Sequence, residues 1–127
     1  GGGYASNDKF HVYNSSMSGN GWQTWAHNNS ASSQLLNAYA ICLSGTTATT
    51  SQVLTSGSIP ANTAKGVEGG CPEGQMVTGG GFAANQDLII YNTSMTSSDP
   101  AKWITYSKNP TGASALIYNY TMCLDFP

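Results

Sequence analysis

Very little of this chain is charged. Four Lys and six acidic residues make up 8% of its 127 positions, against about 25% in an ordinary soluble domain. A net charge of −2 with no basic cluster excludes the phosphate-driven binding that nucleic acid requires and offers no attraction to anionic lipid. Long apolar runs are missing too: none approaches the roughly 18 residues of a spanning helix, so membrane insertion is not expected. Helical periodicity is also absent, since no stretch keeps apolar residues on one face between caps. Cysteine is sparse and odd in number, at three. One disulfide and one thiol is the simplest use of them. Three scattered cysteines and two histidines lack the spacing of a metal site, and no cofactor motif is present.

What remains is a polar surface of Ser, Thr, Asn, Gln, Gly and Tyr around an apolar minority. With 39% hydrophobic and 10% aromatic residues, the chain has enough to bury to escape disorder. Its length fits one compact domain. A charge near zero on such a surface favours self-association. From Gly1 onward there is no basic stretch followed by an apolar core, so a secreted form is expected to have shed its leader or a longer upstream region.

The chain repeats itself. Gly1-Gly2-Gly3-Tyr4 returns as Gly79-Gly80-Gly81-Phe82, and Tyr13-Asn14-Ser15-Ser16-Met17 as Tyr91-Asn92-Thr93-Ser94-Met95, both at an offset of 78. Trp22 then matches Trp103, Asn28 matches Asn109, and Tyr39-Ala40-Ile41-Cys42-Leu43 matches Tyr120-Thr121-Met122-Cys123-Leu124, at an offset of 81. A period that survives one short insertion marks a duplicated structural unit.

Strand-like runs fill both copies. Lys9 to Tyr13, Gly21 to His27 and Gln34 to Leu43 in the first answer to Asp87 to Tyr91, Lys102 to Ser107 and Ala115 to Leu124 in the second. Clusters of Gly, Asn, Ser and Pro separate them, the pattern of an all-β sandwich or barrel. Residues 44–70 connect the copies and hold one expected strand, Gln52 to Ile59. Cys71-Pro72-Glu73-Gly74 reads as a turn, and Gln75 to Thr78 as a strand entering the triple glycine, where a bulge or sharp bend is expected.

The duplication is incomplete. Repeat 2 has a leading strand and a cysteine before its triple glycine, and repeat 1 has no counterpart of Cys71 to Thr78. An unpaired sheet edge follows. It can be filled by upstream chain, by a strand of repeat 2 or the connector, or by a strand from a neighbouring chain. The cysteines obey the same logic. Cys71 opens repeat 2 and Cys123 closes it, so that pair is preferred, with Cys42 left over. A Cys42–Cys71 bridge is the alternative.

The string Cys71-Pro72-Glu73-Gly74-Gln75-Met76-Val77-Thr78-Gly79-Gly80-Gly81-Phe82, with Cys123 some forty residues further on, resembles a repeat of secreted and surface-anchored bacterial proteins. Gly21-Trp22 and Ala38-Tyr39-Ala40-Ile41-Cys42 are similar to two further pieces of it. Repeat 1 departs by lacking the Cys-Pro opening, and repeat 2 by having Lys102-Trp103 in place of Gly-Trp. The resemblance implies a location outside the cell and a fold, not a chemistry.

Catalytic constellations are lacking. His11 and His27 are the only histidines; neither sits in a recognisable motif, and no nucleophile elbow exists. The carboxylates, at Asp8, Glu68, Glu73, Asp87, Asp99 and Asp125, form no evident acid–base pair. Asp8 and Asp87 lie in comparable Asn-rich turns, where Asx turns are preferred over calcium. The triple glycines lack the Lys of a phosphate loop. No enzymatic activity is expected.

Aromatics are the best lead to a ligand. Strand alternation puts Trp22 on one face of Gly21 to His27 and Gln23, Trp25 and His27 on the other. In repeat 2 it separates Trp103 from Tyr106 and Lys108. The invariant pair, Trp22 and Trp103, reads as core. Trp25 and Tyr106 read as accessible, flanked by Gln23, His27 and Asn28 and by Lys108 and Asn109. An exposed ring beside amides suits a sugar, with packing against loops or another subunit as the bland alternative.

The expectation is therefore an all-β antiparallel sandwich or barrel of two internal repeats related by pseudo-twofold symmetry. Residues 1–43 form repeat 1, 44–70 the connector and 71–127 repeat 2. The expected function is a non-enzymatic extracellular recognition or adhesion module for a glycan or other cell-surface ligand. The alternative is a structural subunit of an extracellular filament or surface layer, a homo-oligomer completed by strand exchange.

Overall fold

The structure, a computed structural model, describes residues 1–127. It is all-β, with ten strands and no helix. They are β1 (Gly2–Ala5), β2 (Phe10–Ser18), β3 (Gly21–Asn28), β4 (Asn37–Ala40), β5 (Thr49–Ile59), β6 (Ala64–Gly70), β7 (Met76–Ala84), β8 (Ile89–Met95), β9 (Lys102–Lys108) and β10 (Ala115–Asp125). Every pairing is antiparallel. One sheet has the order β3-β2-β7-β10-β5, a second the order β6-β9-β8, and β1 and β4 form a pair of their own.

The five- and three-stranded sheets stack as a sandwich. Ile59, Val67, Leu88, Ala115 and Ile117 form its core, with Ala84 and Ile90 packed against them. The interior also holds polar side chains: Thr105, Ser107, Asn109, Asn119 and Thr121 are all fully buried. Asn119 ties the sheets together there. Its Oδ1 accepts from Thr105 Oγ1 at 2.8 Å and its Nδ2 donates to the Trp103 carbonyl at 3.0 Å, which offsets the cost of burying an amide.

The preferred cysteine pair is the one formed. Cys71 and Cys123 are disulfide-bonded, and Cys42 is free and exposed. Cys71-Pro72-Glu73-Gly74 makes the expected turn: Gln75 N donates to the Pro72 carbonyl at 3.1 Å, and Gly74 takes φ +83, the third-position conformation of a type II turn. The triple glycine of β7 lies in extended strand, with the expected irregularity beside it. The β7–β10 register shifts between Met122 and Cys123, and Gly79 at that bulge has φ +156.

Three expectations are corrected. The connector 44–70 holds two strands, not one, because β6 follows β5 and crosses to the other sheet. β1 is a strand in its own right. The run Gln34 to Leu43 is ordered as a strand only over Asn37–Ala40. Its counterpart β10 is held from both sides, by β7 and by eleven residues of β5, whereas β4 has a partner on one side alone. A strand paired along one edge is bound by half the ladder, and it is shorter.

Local detail recurs between the segments 1–43 and 79–124. Gly2 faces Ala40 as Gly80 faces Thr121. The β2–β3 register slips between Val12 and Asn14, and the β8–β9 register between Ile90 and Asn92. Trp22 Nε1 donates to Ser15 Oγ at 2.9 Å and Trp103 Nε1 to Thr93 Oγ1 at 2.8 Å. The sheets are composed differently all the same: β2 and β3 join β7 and β10, while β1 and β4 stand apart.

Candidate functional site

Each of the two bulges lies beside an exposed ring. In β2 the slipped residue is Tyr13, and just beyond it Asn14 pairs with Trp25. In β8 the slipped residue is Tyr91, and Asn92 pairs with Tyr106. Each site is thus a cross-strand pair of an asparagine and an aromatic, where side chains on one face come within reach of each other.

Around Trp25, which is 55% exposed, the polar groups form a chain. The indole Nε1 donates to Gln23 Oε1 at 3.4 Å, Gln23 Nε2 donates to Ser16 Oγ at 3.2 Å, and Ser16 Oγ donates to Asn14 Oδ1 at 2.8 Å. Ser16 is buried, so the chain is anchored in the sheet and fixes which way both amides point. The Asn14 amide nitrogen is left to donate outward. His27 is exposed further along β3, opposite His11. His11 is satisfied within the fold: its Nε2 lies 2.6 Å from the Leu88 carbonyl, an acceptor only, so that nitrogen carries the proton.

Tyr106 belongs to a flatter patch. It is 37% exposed, and its ring stacks with Tyr91 at 6.1 Å between centroids and 29° between planes. On its other side the ring lies over Gly66 of β6, where a Cβ would come 2.7 Å from Tyr106 Cε1. The bare glycine lets the phenol lie down on the sheet. Asn92 and Lys108 are exposed on the strands that carry the two rings, giving a shelf with two hydroxyls, an amide and an ammonium group.

Trp25 lies on an edge strand of the larger sheet and Tyr106 on the central strand of the smaller one. They form two patches. Asn109 belongs to neither, and its burial corrects the expectation that it binds a ligand; Asn28 is half-buried at the end of β3. Asn109 is fully buried; its Nδ2 donates to the carbonyls of Ile59 and Ala113, and its Oδ1 accepts from Thr111 N and Oγ1. Asn28 Nδ2 donates once, to the Ser32 carbonyl, and its Oδ1 accepts from Ser30 N and Oγ. Both are turn-closing amides, and that of Asn109 has its hydrogen-bonding capacity fully used. Tyr91, Asn14 and Asn92 belong to the patches. The repeated Tyr-Asn dipeptide was the signal for them, but only the strand register shows that it faces the aromatic.

A third feature is a cavity of about 550 Å³ where the two triple-glycine strands approach. Trp22, Trp103, Met122 and Leu124 line it, together with the exposed Ile41 and Cys42. Asn20, Thr50 and Thr78 line it as well, and no histidine, carboxylate or lysine side chain does. No cluster of three His, Cys, Asp or Glu side chains is placed to hold a metal ion. No helix is long and apolar enough to cross a membrane.

No family model matches the chain, and no curated protein or solved structure matches it either.

Proposed function

We propose that this chain is a non-enzymatic extracellular recognition module that takes carbohydrate on two like patches, Asn14–Trp25 and Asn92–Tyr106. The recurring cross-strand pair of an asparagine and an exposed aromatic carries the reading. A pyranose ring offers an apolar C–H face, which stacks on an aromatic, and a rim of hydroxyls, which amides engage from both the donor and the acceptor side. A low net charge suits a neutral ligand. The disulfide agrees with an oxidising setting outside the cell, and the resemblance to secreted and surface-anchored bacterial repeats points the same way. Two weak patches on one rigid body gain by avidity when the ligand is a polymer.

The test is a glycan array with the wild-type chain and the variants Trp25→Ala and Tyr106→Ala. Loss of one stacking ring is expected to weaken binding to a polymeric glycan about tenfold, and loss of both to abolish it. A wild-type chain that binds no glycan, or binding that survives the double substitution, would end this reading.

A second reading, a structural subunit completed by strand exchange, is favoured by a separate observation. The outer edges of β3 and β4 are unpaired.

A further inference from the structure

The second half of the chain shows what its own strand edges need. β10 is closed on its outer edge by β5, and β9 on its outer edge by β6. These two covering strands are consecutive, so they form a single arch that crosses from one sheet to the other at Pro60 to Thr63. Cys71 follows β6 directly and reaches back to Cys123 in β10. One segment, Thr49 to Cys71, therefore covers both edges and then locks itself covalently to the strand it covers.

β4 and β3 are the counterparts of β10 and β9 by sequence and by register, and neither has a partner on its outer edge. The direction of the free groups follows from the terminal pair. Gly1 and Ile41 exchange both bonds, Ile41 N to the Gly1 carbonyl at 2.7 Å and Gly1 N to the Ile41 carbonyl at 3.2 Å. Backbone groups alternate sides along an antiparallel strand, so Ala38, Ala40 and Cys42 turn theirs away from β1. Their counterparts Asn119, Thr121 and Cys123 pair there with Thr55, Val53 and Ser51. Side chains tell the same story. Ile41 is 74% exposed where its counterpart Met122 is 1% exposed, and Cys42 is an exposed thiol where Cys123 is buried in a disulfide.

We propose that the edges of β4 and β3 form a docking site for a β-arch from a neighbouring chain. The arch has the chemistry of Thr49–Cys71: two Ser/Thr-rich strands running into a cysteine that bonds to Cys42. Main-chain bonding supplies affinity and the cysteine supplies permanence. Bridge formation consumes a small-molecule disulfide such as oxidised glutathione. The Cys42 thiolate attacks it and releases one glutathione thiol. The incoming cysteine thiolate then attacks the mixed disulfide and releases the second. Two thiols are oxidised, one disulfide is reduced, and both protons end on glutathione.

The probe is a synthetic peptide of the sequence Thr49–Gly74, mixed with the folded full chain in a glutathione redox buffer. A one-to-one adduct linking the peptide's cysteine to Cys42 is expected on peptide mapping, with new amide-exchange protection at Ala38, Ala40 and Cys42. Ala40→Pro removes an outward donor without touching the bonds to β1; it is expected to lower the adduct yield at least tenfold while the Cys71–Cys123 bridge persists. Ala38→Pro is the second edge variant should the first fail to fold. A scrambled peptide with cysteine at the same position is expected to give only background. An equal yield from the scrambled peptide, an adduct without new protection, or exclusive formation of Cys42–Cys42 dimers would each overturn the proposal.

Discussion

Trp103 lies directly on Gly80, with no space for a side chain between them: a Cβ at Gly80 would overlap the indole and the Tyr120 carbonyl. Trp22 lies on Gly2 in the same way, against the Tyr39 carbonyl. The middle glycine of each triplet is thus a seat for a tryptophan held by its own hydrogen bond.

Gly80→Ala is therefore expected to destabilise the fold by about 1–3 kcal/mol through overpacking. Gly3→Ala, where nothing lies within 4 Å of an added Cβ, should be neutral to within about 0.5 kcal/mol. Urea unfolding of the two variants checks the contrast. Equal effects would mean that the triplet acts through flexibility instead.

The disulfide closes a separation of 52 residues. By the loop-entropy relation this corresponds to about 4 kcal/mol at 25 °C. Replacing both Cys71 and Cys123 by Ala should lower stability by an amount of that order, while Cys42→Ser, at an exposed position, should leave the unfolding midpoint of the isolated chain unchanged. Thermal unfolding under non-reducing conditions measures both.

Asn119, itself fully buried, joins the sheets through two hydrogen bonds. Asn119→Ala takes from the Thr105 hydroxyl its 2.8 Å acceptor, leaving only Thr93 Oγ1 at 3.4 Å, and opens a small hole, at a cost of about 1–3 kcal/mol. Asn92→Ala, on the surface, should cost less than about 0.5 kcal/mol. Denaturant midpoints of the two variants test whether the polar interior is cemented by this amide.

Stability should fall at alkaline pH. Burial raises the Tyr4 phenol above its ordinary value of 10.0. Burial also raises that of Tyr120, with Tyr118 contributing repulsion. A raised folded-state value means that the neutral phenol is favoured by folding. Its contribution is whole below the unfolded value near 10 and is lost as pH rises through the folded value. Denaturation midpoints should hold from neutrality to about pH 10 and decline above it, and Tyr120→Phe should flatten that decline.

Much of the fold was legible because strand formation in this chain follows pattern. Alternation separated Trp22 and Trp103, which are half-buried rather than core, from the exposed Trp25 and Tyr106, and it located β3, β9 and β10 and the first residues of β2 and β8. β6 escaped notice because Ala64-Lys65-Gly66-Val67-Glu68-Gly69-Gly70 has the composition of a linker. Its glycines are explained only by what lies against them: Tyr106 over Gly66, and Thr55, Thr121 and Asn119 against Gly69. The candidate site was half legible. Trp25 and Tyr106 could be picked by face, but Asn28 and Asn109 looked available when their amides were closing turns. Asn14 and Asn92 gained meaning only from the register across the strands.

By itself, the sequence determined the all-β character and the duplicated motifs and favoured the Cys71–Cys123 bridge over Cys42–Cys71, because alternation, turn chemistry and repeat boundaries are local properties written along the chain. Tertiary structure alone decided that Tyr91 joins Tyr106, that an asparagine faces each exposed ring, and that β5 and β6 close one half while β3 and β4 stay open. Those facts depend on which strands become neighbours, and neighbours distant in sequence are chosen by packing and by register.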